Sequence, residues 1–131
     1  MKILVTGGAG FIGSALIWAL NRRGEENILV VDQLRLGEKW KNLVGLRFSD
    51  YLDKTVFIDR LTRGYFGNRI RAIFHMGACS DTTEKDADYL MENNYRYTAR
   101  IADWRETQPH CRLIYASSAA TYGDGAQGYG D

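Results

Sequence analysis

Apolar residues in this chain fall into two alternating patterns. Continuous bursts at residues 3–5, 28–31, 72–75 and 112–116 are dominated by Ile, Leu, Val, Phe and Tyr. Such runs mark strands buried on both faces, because an exposed face would impose polar residues at every second position. Between the bursts, apolar residues return at helical spacing. Ile12, Leu16, Ala19 and Leu20 predict a helix opening at Phe11 and ending near Gly24. Residues 46–48 predict a weaker third strand, followed by a helix over 53–66. Ala87, Leu90, Met91, Asn94, Tyr97, Ile101 and Trp104 trace one long helical face up to the break at Pro109. Strict alternation of strand and helix predicts an α/β fold, a doubly wound parallel sheet of about five strands with right-handed crossovers and order 3-2-1-4-5.

The junction between the first burst and the first helix carries the most chemistry. It reads Thr6-Gly7-Gly8-Ala9-Gly10-Phe11-Ile12-Gly13. A strand, a glycine loop and a helix N-terminus in succession form the phosphate cradle of the Rossmann fold. One glycine makes the tight turn, one admits a pyrophosphate to the backbone, and one brings helix onto strand. The helix end adds N–H groups and partial positive charge. Asp32 ends the second strand 19 residues after Gly13, where a carboxylate can accept hydrogen bonds from an adenosine ribose. An acid there repels a 2′-phosphate and favours NAD, whereas Arg35 and Lys39 can pair with such a phosphate or simply face solvent.

Composition excludes several other classes. A length of 131 residues suits one domain with a real core, and a net charge of +1 gives no electrostatic case for nucleic acid or an anionic membrane. No apolar run approaches the roughly 20 residues of a membrane span, and the apolar start yields to glycine too early for a signal peptide. Cytoplasm is the expected compartment. Cys79 and Cys111 are expected as reduced thiols, and His75, Cys79, His110 and Cys111 fit no familiar zinc spacing. Tyr95, Tyr97 and Trp104 are expected in the core or an interface, and Asp81, Thr82 or Thr83 at the cap of the long helix. Four glycines, Gly123, Gly125, Gly128 and Gly130, fall among the last nine residues with no apolar period. The chain reads as a single cofactor domain over 1–131, the N-terminal part of a longer protein whose C-terminal part is missing.

Further strings narrow the picture. Val30-Val31-Asp32, Gly77-Ala78-Cys79-Ser80, Thr82-Thr83-Glu84, Asn93-Asn94-Tyr95 and Ser117-Ser118-Ala119-Ala120-Thr121-Tyr122-Gly123 join the glycine loop. Together they resemble the extended short-chain dehydrogenases/reductases, the NAD-dependent epimerase/dehydratase family. Within it they are most similar to the ADP-L-glycero-D-manno-heptose 6-epimerases. The resemblance implies NADP as cofactor, with NAD possible, and an ADP-linked sugar as substrate. It implies oxidation at C6″ to a ketone and re-reduction on the opposite face, in lipopolysaccharide core precursor synthesis. The cofactor contacts it implies are Gly7, Gly10, Phe11, Ile12, Gly13, Asp32, Gln33, Lys39, Lys54, Met76, Gly77, Ala78, Cys79, Ser80 and Asn93. Ser118 would hold the reacting hydroxyl, with Thr121 and Tyr122 on the substrate side. Gln33 and Met76 depart from the family pattern, where a smaller amide and an acid are usual. Complete members are homo-oligomers, a pentamer by this resemblance.

The family's Tyr-x-x-x-Lys pair is absent: no tyrosine in the chain has a lysine four residues later. A lysine there lowers the phenol's pKa for proton transfer. The fragment is therefore expected to bind cofactor without turnover. The rival readings are a UDP- or dTDP-sugar epimerase or dehydratase, and a non-catalytic NADP-binding module.

Overall fold

The computed structural model describes residues 1–78, 85–118, 123–128 and 130. Five strands, β1 (Lys2–Thr6), β2 (Ile28–Asp32), β3 (Asp50–Asp53), β4 (Ile70–His75) and β5 (Arg112–Tyr115), form one sheet in the order β3-β2-β1-β4-β5. Every pairing is parallel, and the central register sets Val5 beside both Val30 and Phe74. Because side chains alternate across a strand, neighbouring residues enter different cores. Ile3, Val5, Ile28 and Val30 pack with Ile17 of helix α1 (Phe11–Arg22). Leu4, Leu29, Val31 and Ile73 face the other layer, with Phe57 and Leu61 of α2 (Lys54–Thr62) and Ile101 and Trp104 of α4 (Tyr97–Glu106).

Three local details differ from the sequence pattern. The third strand is not at 46–48 but at 50–53. Leu46 and Phe48 lie outside any strand and pad the α1-side core, while Asp50 to Asp53 pair with Leu29 to Asp32 at the sheet edge. An edge strand tolerates polar residues, so Asp-Tyr-Leu-Asp carries little apolar signal. Helix α2 stops at Thr62 rather than 66, since Gly64 turns with φ +73, and Phe66 reaches the core from the following loop, its ring 5.7 Å from that of Phe57. On α1 the buried residues are Gly13 and Ile17, whereas Ile12 and Ala19 are exposed.

The long helix is composite. α3 (Ala87–Leu90) is capped by Asp86, whose carboxylate accepts the Tyr89 N–H at 3.0 Å. Asp81, Thr82 and Thr83 lie outside the described residues. A π-helical turn (Met91–Arg96) follows, in which the Tyr97 N–H reaches back five residues to the Glu92 carbonyl, and α4 completes the element. Tyr97 and Trp104 are core residues as expected, while Tyr95 is exposed. Among the described residues, no helix is long and apolar enough to cross a membrane.

Candidate functional site

The loop after β1 is built from backbone packed on backbone. Gly7 turns with φ +63, and a Cβ there would lie 2.7 Å from the Cα of Gly77, in the segment after β4. A Cβ on Gly13 would sit 2.1 Å from the Gly7 carbonyl oxygen. Both positions therefore exclude any side chain. The Gly10 N–H donates to the Gly7 carbonyl at 3.0 Å, and the Ser14 N–H to the Gly10 carbonyl at 2.9 Å. Gly10 caps α1 without a side chain, leaving the first N–H groups of the helix directed at the C-terminal edge of the sheet. Phe11, 88% exposed, and Ile12 flank that opening. An opening of this kind, lined by free helix N–H groups, is suited to an anion.

Asp32 closes the loop from the neighbouring strand. It is 5% exposed, and one carboxylate oxygen accepts the Ala9 N–H at 2.8 Å. The other accepts the Gln33 N–H at 2.7 Å and the Lys39 ammonium at 2.5 Å. Asn42 completes the bracket, donating to the Ala9 carbonyl at 2.8 Å, and the Tyr51 hydroxyl donates to the Asp32 carbonyl at 2.9 Å. Asp32 thus ties the glycine loop to a lysine.

Lysine is concentrated beside this acid. Lys54, the first residue of α2, donates to the side-chain oxygen of Asn93 and lies 5.8 Å from the Tyr89 ring centroid. Burial, with the nearby cations of Arg35 and Lys39, holds its ammonium below the usual lysine range. Arg35 is the one described non-glycine residue with positive φ (+50), and its guanidinium donates to the Gln33 side chain at 3.1 Å. Residues 32, 33, 35, 39, 54 and 93, drawn from β2, the segment between β2 and β3, α2 and the π-helical turn, thus meet at one end of the cradle.

At the other end, Thr6 joins the two central loops. Its hydroxyl accepts the Gly77 N–H at 3.1 Å and lies 2.6 Å from His75 Nδ1, and the Met76 N–H donates to the Thr6 carbonyl at 3.2 Å. His75 is 4% exposed, and burial pushes its imidazole down to about 4. Met76 and Gly77 are half-buried, and Ala78 is exposed. Ser118 is exposed three residues beyond the end of β5, at the same edge of the sheet. Cys79, Ser80, Thr121 and Tyr122 lie outside the described residues. Cys111 is a buried free thiol. Sequence reasoning missed Thr6, Asn42 and Tyr89 as members of the site. Only Thr6 carried a signal, as a hydroxyl placed directly before the glycine loop.

A parallel sheet of this order, with a glycine-rich loop over a helix N-terminus and an acid on the next strand, defines a Rossmann-type dinucleotide-binding domain. The chain belongs to the NAD dependent epimerase/dehydratase family, whose model matches residues 3–130. It is 53% identical over 128 residues to an ADP-L-glycero-D-manno-heptose-6-epimerase of Nitratidesulfovibrio vulgaris, covering 98% of this chain and 39% of that one. The chain thus spans about two-fifths of the length of the curated relatives it matches. The ADP-L-glycero-D-manno-heptose-6-epimerase of Helicobacter pylori superposes with a TM-score of 0.76 at 32% identity, over 94% of this chain and 41% of that chain. A Bacillus cereus UDP-glucuronic acid 4-epimerase in complex with NAD gives 0.75 at 26% identity, over 95% and 42%.

Proposed function

We propose that this chain is the cofactor-holding part of an NADP-dependent epimerase that inverts C6″ of ADP-glycero-manno-heptose, a cytoplasmic step of lipopolysaccharide core precursor synthesis. The observation that carries the reading is the 53% identity along 98% of the chain to an enzyme of that name, against 26% for the UDP-sugar 4-epimerase above. The geometry supports a dinucleotide independently. Gly7, Gly10 and Gly13 leave room for a pyrophosphate against the α1 N-terminus, and Phe11 and Ile12 border it. Asp32 and Gln33 would meet the ribose. Met76, Gly77 and Ala78 would pass beneath the dinucleotide, with Cys79 and Ser80 following in sequence.

NADP rather than NAD is supported by the charge beside Asp32. A lone carboxylate would repel a 2′-phosphate, but Lys39 pairs with it, and Arg35 and Lys54 add two further cations held by Gln33 and Asn93. Asp32, Lys39 and Lys54 would hold the adenosine end of NADP, which would supply hydride chemistry for the sugar carbon. Ser118 would hold the reacting hydroxyl at the C-terminal edge of the sheet, where open α/β sheets bind their ligands. The complete enzyme would act as a homo-oligomer.

No Tyr-x-x-x-Lys occurs in the 131 residues, so this chain binds cofactor without epimerising. Calorimetry on the folded chain should show NADP binding about tenfold more tightly than NAD, and Lys39→Ala should erase most of the difference. Failure of a folded chain to bind either dinucleotide overturns the cofactor reading. Turnover of ADP-heptose by this chain overturns the claim of inactivity.

A further inference from the structure

A line of hydroxyl and imidazole groups crosses the molecule from the composite helix to the glycine loops. Gly77 N–H donates to the Thr6 hydroxyl, Thr6 lies 2.6 Å from His75 Nδ1, and His75 Nε2 lies 2.8 Å from the Thr98 hydroxyl. Thr98 in turn donates to the Asn94 carbonyl at 3.3 Å. The proton order follows from the Thr98 end. Thr98 gives its hydroxyl proton to the Asn94 carbonyl, so its oxygen accepts from His75 Nε2–H. A neutral imidazole with its proton on Nε2 leaves Nδ1 as an acceptor for the Thr6 hydroxyl, whose oxygen takes the Gly77 N–H. His75 also stacks on the Tyr97 ring at 5.9 Å, which fixes the plane of the imidazole.

The π-helical turn makes this line possible. In an α-helix, residues five apart diverge by about 140° around the axis. The five-residue bond from Tyr97 to Glu92 widens the turn, so residues 93 and 98 return toward one face. Asn93 then reaches Lys54 while Thr98 reaches His75. Side chains also serve the carbonyls around the widened turn, Asn93 donating to Tyr89 at 2.8 Å and Thr98 to Asn94.

We propose that Thr98 and His75 are positioning residues for the dinucleotide loops: through the Thr6 hydroxyl they hold the Gly77 segment against Gly7, and the π turn sets Thr98 at the required place. No atom of Thr98 belongs to the cradle, so its influence on the cofactor passes through His75. The inference rests on the dinucleotide reading above for its effect on affinity, but the held Gly77 amide can be observed without any ligand.

The test compares Thr98→Val, which keeps the shape and removes the acceptor, with Thr98→Ser, which restores it. Three quantities are read on the 131-residue chain: hydrogen exchange at the Gly77 amide against the Ile17 amide, the dissociation constant for NADP, and the thermal midpoint. Thr98→Val should speed Gly77 exchange about tenfold with Ile17 unchanged and weaken NADP about fivefold, and Thr98→Ser should recover both. A merely structural threonine would lower the midpoint and leave the Gly77-to-Ile17 ratio alone, which overturns the proposal, as does a serine variant no better than valine. If the wild-type chain binds no dinucleotide, the cofactor reading fails and the exchange ratio alone decides the relay. If Thr98→Val does not fold, Thr98→Ala gives the same comparison.

Discussion

The two ends of the cofactor cradle are made by different physics. At the glycine loop, contact is backbone against backbone, and a single added Cβ would lie 2.1 Å from a carbonyl oxygen. At the Asp32 end, contact is made by side chains drawn from residues 32, 39, 54 and 93, through hydrogen bonds and paired charges. The first end is all or nothing, because overlap of hard atoms has no gentle version. The second is graded, since each polar partner contributes a kilocalorie or two and water can replace part of it. On the proposed reading, the glycine end would set whether a dinucleotide can enter, and the polar end would adjust which one is preferred.

The largest break should come from the glycine end. Gly13→Ala forces its methyl onto the Gly7 carbonyl and should cost more than ~3 kcal/mol of folding stability, with loss of NADP binding. Urea unfolding measures the first and calorimetry the second. An alanine variant as stable as wild type would mean that the loop and helix are not in contact as described.

Acid should act nearly as strongly, through the buried His75 behind the glycine loops. His75 stays neutral when folded down to about pH 4, whereas an unfolded histidine takes up a proton near its ordinary 6.5. Between those values the unfolded chain binds a proton that the folded chain refuses, so stability falls as pH drops and is constant for this group above about pH 7. The loss by pH 4 is about 3 kcal/mol. The His75 C2–H resonance should titrate near 4 by NMR, and titration near 6.5 would contradict its burial between Thr6 and Thr98.

Asp32→Asn sharpens the comparison by being partial. The amide oxygen can still accept the Ala9 N–H, but the Lys39 ammonium loses its carboxylate, and we expect a loss of about 2 kcal/mol with the loop still formed. A drop as large as that for Gly13→Ala would place Asp32 among the all-or-nothing contacts. The smallest effect belongs to the surface. Asp59→Asn breaks the exposed pair with Arg63 and should shift the urea midpoint by less than about 0.5 kcal/mol of stability.

The same division separates what could be read along the chain from what could not. Strand bursts, helical spacing and the glycine loop are written in near neighbours, and they predicted the sheet order and the site of the cradle. The third strand escaped because its apolar signal lay just upstream, in Leu46 and Phe48, which cover a core without pairing. His75 looked like the plain end of a strand, and Thr98 like one more residue on a helix. Only the fold puts one ring nitrogen of His75 beside Thr6, 69 residues away, and the other beside Thr98.

By itself, then, the sequence determined the parallel α/β alternation, the glycine turn at Gly7 to Gly13 and the acid at the end of β2. Each is written in periodicity or in the type of residue at a fixed place along the chain. Tertiary structure alone decided that Asp32 grips both Ala9 and Lys39, that Lys54 meets Asn93, and that His75 lies between Thr6 and Thr98. A polar atom's partner depends on which distant segments packing brings within three ångströms, and no local pattern encodes that distance.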